Sequence, residues 1–139
     1  MQKIKIRTAV SKDVPVIFKL IARGERQGFL LKRPKKEIRA VVKKRNVFVA
    51  ENSRGIIGIV ALDFYSKRLS EIRSVFVERK FRGQGIGRML LEKAIKRAKK
   101  LGVDELMTIS VPSMAKWFMK RGFDERPHRL KVSLFKTVR

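Results

Sequence analysis

The sequence predicts an α/β fold of the α+β kind, in which helices flank a mixed, mostly antiparallel central sheet. Short apolar runs with strand character alternate with amphipathic helical segments, which is typical of sheet-and-helix layers. Two of the strand-like runs are separated only by the turn signal Asn52-Ser53-Arg54-Gly55, which favours a hairpin. The resulting element order, β-α-α-β-β-β-α-β-α-β, implies a mixed sheet with helices covering it.

The first elements are marked by residue alternation and by helix-start signals. Charged and apolar residues alternate over Lys3–Arg7, which indicates a strand. Ser11 and Asp13 then offer N-cap oxygens, and Pro15 suits the first turn of a helix. This helix is predicted to give way to a loop or a broken helix over Gly24–Leu31. Its apolar face is formed by Val14, Ile17, Phe18 and Ile21.

The later elements follow from apolar spacing and from glycine or proline boundaries. Apolar residues recur every three to four positions from Ile86 to Leu101, which indicates a long helix, and Gly102 suits its C-cap. The other predicted elements are a second helix opened by Pro34, strands at 47–50, 56–64, 69–77 and 106–111, a short helix at 113–120, and a final partly apolar segment after Gly122 that ends near Val138.

Size and composition bound the function. A chain of 139 residues favours one domain over residues 1–139, and 44% hydrophobic residues suffice for a core. The absence of cysteine excludes disulfides, thiolate catalysis and cysteine-based zinc sites. The apolar runs are too short to span a bilayer, and the N-terminus lacks the pattern of a signal peptide. We therefore expect a cytoplasmic protein with no membrane partner.

The net charge of the chain is extreme. With 36 Lys+Arg against 12 Asp+Glu, the formal charge is +24, and such a field attracts anions and repels polycations. From charge alone, a nucleic acid or a ribosome is therefore an open alternative as partner. The basic residues are spread over the whole chain, and no zinc-finger or RNP motif accompanies them, so a solvated basic surface explains the charge equally well.

The most informative stretch is Phe81-Arg82-Gly83-Gln84-Gly85-Ile86-Gly87-Arg88, which lies between a strand-like run and the long helix. A P-loop would need Lys and Ser or Thr after Gly87, and a dinucleotide fingerprint would need glycine at position 88, where Arg88 stands. What remains is a glycine-rich turn that exposes backbone N–H groups at a helix start beside two arginines. This arrangement predicts a phosphate site.

The stretch from Val75 to Arg88 resembles the acetyl-CoA signature of the GNAT superfamily of N-acetyltransferases, and so do the element order and the segment Trp117–Phe123. The resemblance implies a GNAT (acyl-CoA N-acyltransferase) fold and direct transfer from acetyl-CoA, a co-substrate, to a primary amine of a small molecule, without a metal. Pyrophosphate would lie on the backbone of Gly83–Arg88. Pantetheine would pair with the edge of Val75–Val77, entering where that strand splays from the next. The cofactor-binding residues so implied are Val75, Phe76, Val77, Arg82, Gly83, Gln84, Gly85, Ile86, Gly87 and Arg88.

Acetyl transfer needs a neutral amine, so a base, often acting through water, is expected near the acetyl group. Glu71, on the strand that leads to the glycine loop, is the candidate. The alternative for Glu71 is a surface salt bridge in a chain crowded with Lys and Arg. Asp63 and Glu51 are weaker candidates for the base.

The general acid is not evident. The superfamily often places a tyrosine in the helix before the Gly-Phe landmark, and in this chain the matching position is Phe118. The thiolate would then leave unassisted or be protonated by water. Trp117, Phe118 and Phe123 are expected in the core or in a wall of the CoA cleft. Tyr65, the only tyrosine, is expected to be a loop aromatic, and His128, the only histidine, a surface residue.

Within the superfamily, the stretches 28–34 and 69–75 are similar to the N-acetylglutamate-synthase-like amino-acid N-acetyltransferases. The similarity implies that the acceptor is the α-amine of an amino acid such as glutamate, whose carboxylates could pair with Lys32, Arg33 and Arg73. One alternative is a ribosome-associated acetyltransferase of protein N-termini. Another is a basic nucleic-acid-binding protein on the same fold. Both a monomer and a homodimer remain open.

Overall fold

A computed structural model describes residues 3–127 and 132–138. Within these ranges the strands are Lys5–Thr8 (β1), Val47–Asn52 (β2), Gly55–Phe64 (β3), Leu69–Val77 (β4), Glu105–Ser110 (β5), Asp124–Pro127 (β6) and Val132–Thr137 (β7). The α-helices are Val14–Arg26 (α1), Lys35–Lys43 (α2), Ile86–Lys100 (α3) and Pro112–Met119 (α4). Short 3-10 turns precede α1 at Ser11–Asp13 and follow β4 at Arg79–Phe81.

The strands form one sheet with the order β1-β2-β3-β4-β5-β7-β6. Among the described strands, β4 and β5 are parallel and every other neighbouring pair is antiparallel. The predicted mixed, mostly antiparallel sheet with flanking helices is therefore confirmed. A parallel neighbour needs a crossover, and here α3 provides it, because it connects β4 to β5.

Two apolar layers hold the helices on the sheet. On one face, buried side chains of α1 and α2 pack with Val49, Ile59 and Phe76. On the other face, α3 and α4 pack with Phe48 and Leu62. Because Phe48 and Val49 are neighbours in one strand and point to opposite faces, β2 is covered on both sides. This explains why it reads as a continuous apolar run in the sequence.

A β-bulge interrupts β4 beside the predicted site. Ile59 faces Phe76 and Ala61 faces Arg73, so three steps along β4 match two steps along β3. Ser74 lies within this extra step and has a φ of +62°, a left-handed conformation that is uncommon outside glycine. The extra residue reverses the alternation of side chains, and Val75 therefore joins Ile72 on the face covered by α3.

Three details of the sequence prediction were wrong. Helix α1 continues to Arg26 instead of breaking at Gly24. A Cβ on Gly24 would lie 2.6 Å from Leu30, so this glycine serves close packing and does not end the helix. The Asp13 side chain does not cap α1: its carboxylate accepts hydrogen bonds from the Arg7 side chain and from the Val10 N–H. The final segment contains two paired strands, β6 and β7, instead of one.

His128 lies outside the described residues. No helix in the described part of the chain combines the length and the apolar character that crossing a bilayer requires.

Candidate active site

The central feature of the site is a gap between two strands of the sheet. β4 and β5 pair only from Leu69 to Glu71, opposite residues 105–107. Beyond Glu71 the two strands separate, and among the described strands none pairs with the β5-facing edge of β4 over Ile72–Val77. Such an edge presents free N–H and C=O groups that can pair with an extended ligand. The predicted splay beside Val75–Val77 is thus present.

A cleft with a volume of about 390 Å³ opens at this gap and reaches the start of α3. It joins the open edge of β4 to the glycine loop, so an extended ligand could touch both. The residues lining it are Phe29, Val75, Phe76, Val77, Phe81, Arg82, Gly83, Gly85, Ile86, Gly87, Arg88, Met114, Trp117 and Arg121. Nine of the ten residues that the sequence predicted for the cofactor line this cleft; Gln84, which is exposed, does not.

The glycine loop presents unsatisfied N–H groups to the cleft. Gly85 is the N-cap of α3 and has a φ of +82°, which glycine adopts without strain. The first helical hydrogen bond runs from Met89 N to Gly85 O at 3.1 Å, so Ile86, Gly87 and Arg88 have no acceptor within the helix. A Cβ at Gly87 would lie 3.2 Å from the Trp117 ring. These N–H groups and the positive end of the helix dipole are chemically suited to an anion.

Arg82, predicted to bind the cofactor, lines the cleft, and its guanidinium also contacts other parts of the protein. Its Nε donates to Val77 O at 2.8 Å, and its Nη2 donates to the Gln27 side chain at 2.7 Å. The guanidinium carbon lies 4.8 Å from the Phe29 ring centroid and 5.1 Å from that of Phe76. Burial, followed by the nearby Arg79, lowers the pKa of Arg82. The Arg82 side chain therefore connects the end of β4 to the residues that follow α1.

Arg121 is a cleft residue that sequence reasoning missed. Its guanidinium stacks on the Trp117 ring at 3.9 Å and donates to Trp117 O at 2.8 Å. Burial, followed by the like charge of Arg88, lowers the pKa of Arg121. Two arginines near each other at the mouth of the cleft favour an anionic ligand between them. Arg121 lies two residues beyond the end of α4, and the available signal in the sequence was an arginine four positions after Trp117.

Glu71 is buried, with 5% of its surface exposed, and the Tyr65 hydroxyl donates a hydrogen bond to its carboxylate. It makes no surface salt bridge with the described residues, which was the alternative for Glu71. Partial burial and the bond to Glu71 raise the pKa of Tyr65 to about 12. Glu51 is held by Arg7 at 3.0 Å near the β1 edge, and that hydrogen bond lowers the pKa of Glu51. Sequence reasoning had treated Tyr65 only as a loop aromatic.

The predicted acceptor residues occupy different environments. Arg33 is 3% exposed, and its Nη2 donates to both Asp63 oxygens at 2.6 and 2.8 Å. The Arg33 Nε and Nη1 atoms are buried and have no partner among the described residues. Arg73 Nη1 lies 3.2 Å from Asp63 and 3.9 Å from Glu37. Lys32 is exposed. Asp63 therefore links two predicted acceptor residues, a pairing that chain position alone does not reveal.

The narrow space between the separated strands, with a volume of about 30 Å³, supplies hydroxyl groups but no tyrosine. Ser74, Thr108 and Ser110 line it together with Phe118. Phe118 is buried and meets the Trp117 and Phe123 rings edge to face, with centroids 5.0 and 5.3 Å away. No cluster of three or more His, Asp or Glu side chains suited to a metal ion occurs in residues 3–127 and 132–138.

Comparison with known sequences agrees with this geometry. Residues 43–125 match the acetyltransferase (GNAT) domain model. The chain is 34% identical over 120 residues to an uncharacterized N-acetyltransferase of Chlorobaculum tepidum, covering 86% of this chain and 75% of that protein. It is 32% identical over 119 residues to the amino-acid acetyltransferase of Pasteurella multocida. That match covers 85% of this chain but only 26% of the relative, so the chain spans about a quarter of its length.

Solved structures of N-acetyltransferases also resemble this chain. N-acetylglutamate synthase from Neisseria gonorrhoeae, complexed with coenzyme A and N-acetyl-glutamate, matches with a TM-score of 0.88 and 25% identity. The match covers 99% of this chain and 35% of that one. PaiA N-acetyltransferase from Thermoplasma acidophilum, in complex with coenzyme A, has the same fold with a TM-score of 0.85 at 15% identity, over 97% of this chain and 99% of that one. The chain therefore belongs to the acetyltransferase (GNAT) domain family.

Proposed function

We propose that this protein transfers the acetyl group of acetyl-CoA to the α-amine of an amino acid such as glutamate. One observation carries the proposal: the unpaired edge of β4 and the free N–H groups at the start of α3 line one cleft. An extended molecule with a pyrophosphate at one end and a thioester at the other suits that combination. Coenzyme A bound to the Neisseria synthase supports the assignment.

Each part of the cleft has a role in this proposal. The loop N–H groups of Gly83–Arg88 bind the pyrophosphate, with Arg88 and Arg121 adding positive charge. The edge at Val75–Val77 pairs with the pantetheine amides. The acetyl group then lies in the gap beside the bulge at Ser74. The apolar walls formed by Phe29 and Trp117 exclude water from the thioester.

The transfer step begins with deprotonation of the acceptor ammonium. Glu71 accepts this proton through an intervening water, because its buried carboxylate does not line the cleft. The amine nitrogen attacks the thioester carbonyl carbon, the C–N bond forms and the C–S bond breaks. The CoA sulfur leaves as a thiolate and takes a proton from water. The products are the N-acetylated amine and CoA.

The acceptor site is proposed on the α2 side of β4, where charged residues cluster. Among the described residues Arg73 pairs with Glu37 and Asp63 through Nη1, so its other N–H groups can bind a carboxylate bidentately. Arg33, held by Asp63 beside Arg73, adds positive charge to the same cluster, and Lys32 lies on the adjoining loop. Cationic neighbours also favour the neutral form of the attacking amine. The names of the amino-acid acetyltransferases that match this chain point to the same acceptor class.

The acceptor is tested with a panel of free amino acids and N-terminal peptides, with released CoA measured by a thiol reagent. The chain contains no cysteine, so the protein adds no thiol background. Turnover with glutamate and not with peptides supports the proposal. Turnover with peptides alone would favour an acetyltransferase of protein N-termini. Absence of CoA binding at tens of micromolar ligand would refute both and leave the nucleic-acid-binding alternative.

The base is tested with Glu71→Gln, which keeps the hydrogen-bonding shape but removes the charge. Turnover should fall by roughly 100- to 10,000-fold, the usual range for loss of a general base, while CoA affinity is retained. Glu25→Gln, on the exposed last turn of α1, is the matched control and should leave turnover unchanged. A pH–rate profile that is the same in Glu71→Gln and in the unmutated protein would remove Glu71 from the mechanism.

A further inference from the structure

We infer that Arg82 is a positioning residue that ties the α1–α2 loop, residues 27–34, to the donor cleft, so that binding of CoA orders the acceptor side. The inference rests on the proposed function, since it takes the donor to be CoA and the acceptor to lie near this loop. Arg82 belongs by sequence to the glycine loop, yet its side chain contacts reach away from it. Its role would be to connect the two binding sites instead of holding phosphate itself.

Four contacts define this tie. Two are hydrogen bonds, from Nε to Val77 O at 2.8 Å and from Nη2 to the Gln27 side chain at 2.7 Å. The other two are ring contacts, with Phe29 on the loop and Phe76 on β4. One planar guanidinium therefore bridges the end of β4 and the start of the loop, which the five fixed donors of arginine allow and a lysine ammonium does not.

Phe29 is the loop residue through which the Arg82 contacts would affect the reaction. Phe29 lines the donor cleft and also the narrow space between β4 and β5, so it stands at the boundary of the two sites. A displacement of Phe29 would open that boundary where the acetyl group must meet the amine. A hydrogen bond also holds the loop to α4. Ser113, in the first turn of α4, donates from its Oγ to Gly28 O at 3.2 Å.

The charge environment of Arg82 supports a positioning role. Among the described residues its hydrogen-bond partners are a carbonyl and an amide, both neutral, and no carboxylate pairs with it. Neighbouring Glu78 is instead bound by Arg23 of α1. Bound phosphate would fix the backbone of the glycine loop and hence the base of the Arg82 side chain. Because two hydrogen bonds and two rings already hold the guanidinium, ordering would pass to the α1–α2 loop.

Amide hydrogen exchange measures the opening of the α1–α2 loop directly. The N–H groups of Gly28, Phe29 and Leu30 donate to carbonyls of α1, so their exchange reports loop opening. In the unmutated protein, CoA should slow exchange in residues 28–30. In Arg82→Ala without ligand, exchange there should rise about fivefold, the equivalent of one net hydrogen bond, and CoA should no longer slow it. Gln27→Ala, which leaves Arg82 in place, should give a smaller effect in the same direction.

Affinity for CoA is measured in parallel through the fluorescence of Trp117, the only tryptophan, which lines the cleft. Arg82→Ala should weaken CoA binding by less than about threefold while raising the KM of the acceptor more than it lowers kcat. Arg82→Lys keeps the positive charge, but its loop amide exchange and its acceptor KM should remain as altered as those of Arg82→Ala. Arg79→Ala, which removes one cation from the preceding turn, is the control and should leave loop exchange unchanged.

The outcomes separate the inference from the proposed function. A loss of CoA affinity above tenfold in Arg82→Ala, with unchanged loop exchange, would make Arg82 a phosphate ligand and overturn the inference. Full rescue by Arg82→Lys would do the same. If the unmutated protein binds CoA but amide exchange in the loop does not change, the inferred coupling between CoA and the loop is wrong, whereas the proposed CoA site is retained. If it binds no CoA, the proposed function fails, and exchange in free Arg82→Ala still decides whether the tie exists.

Discussion

Replacing Gly85 with alanine tests the anion site at the start of α3. Gly85 has a φ of +82°, and a Cβ built on it meets no other atom within 4 Å. The substitution therefore introduces two separate effects. The first is the backbone penalty of a left-handed alanine, which acts on stability. The second is a methyl group in the open space beside the loop N–H groups, where the phosphate is proposed to bind.

The two effects have different sizes. A left-handed L-residue costs about 1–2 kcal/mol, which corresponds to a fall in Tm of roughly 3–6 °C for a domain of this size. A hydrogen bond to a charged oxygen is worth about 1.5–3 kcal/mol, so loss of one such bond to phosphate weakens CoA roughly 10- to 150-fold. The binding effect should thus be larger than the stability effect.

Gly102 provides a matched control at the other end of the same helix. It has a φ of +81°, and its Cβ would also meet nothing within 4 Å. Gly102→Ala therefore imposes a closely similar backbone penalty where no phosphate is proposed. Thermal unfolding measures the shared loss of stability in both variants. Titration of CoA against Trp117 fluorescence measures the binding loss, which we expect in Gly85→Ala alone.

Two results would refute this reasoning. If Gly85→Ala lowers Tm but binds CoA within twofold of the unmutated protein, phosphate does not lie on the loop. If Gly102→Ala weakens CoA as much as Gly85→Ala, the effect comes from loss of helix stability and says nothing about the site.

Three further predictions follow from single contacts. Tyr65, the only tyrosine, should titrate near pH 12 by ultraviolet absorbance, and Glu71→Gln should lower that pKa because a negative neighbour is removed; an unchanged titration would deny the contact. Arg121→Ala should weaken CoA binding roughly 2- to 5-fold at low salt and less at high salt, as judged by titration, since an exposed ion pair is worth at most about 1 kcal/mol. A salt-independent loss would contradict a charge effect. Asp13→Asn should lower the free energy of unfolding at pH 7 by about 1.5–3 kcal/mol, because the buried Asp13 carboxylate accepts a charged hydrogen bond from the partly exposed Arg7. The Arg7 hydrogen bond lowers the Asp13 pKa, so this stabilisation is present above the unfolded pKa near ~3.9 and is lost as pH falls through the lower folded pKa; a deficit that persists at pH 2 would disprove the ion pair.

The cleft of the proposed donor site could be located from the sequence because its parts are contiguous along the chain. The open strand edge at Val75–Val77 and the glycine loop at Gly83–Arg88 follow one another along the chain, and residue types alone define their backbone roles. The bulge at Ser74 was not predicted, because it depends on the register of β4 against β3. Arg121 was missed for a similar reason, since its importance arises only where α4 approaches the cleft.

Side-chain directions were the least predictable part. Arg82 stands in the phosphate motif, yet Gln27 and Phe29, more than fifty residues earlier, determine where its guanidinium lies. Asp63 was considered as a base, yet Arg33 and Arg73 both bind its carboxylate. These outcomes depend on which long side chains meet across the fold, and local sequence carries no information about that.

The sequence by itself determined the fold class, the glycine loop, the family resemblance and the identity of the donor that we propose. These depend on periodicity and on a contiguous motif, which are written along the chain. Only the tertiary structure decided how the residues of the proposed acceptor side are arranged. In the folded protein Glu71 is buried and bonded to Tyr65, and Asp63 pairs with both Arg33 and Arg73. The Arg82 side chain points toward the α1–α2 loop. The physical reason is that each of these pairings joins side chains brought together by strand register and by helix packing, which the order of residues does not specify.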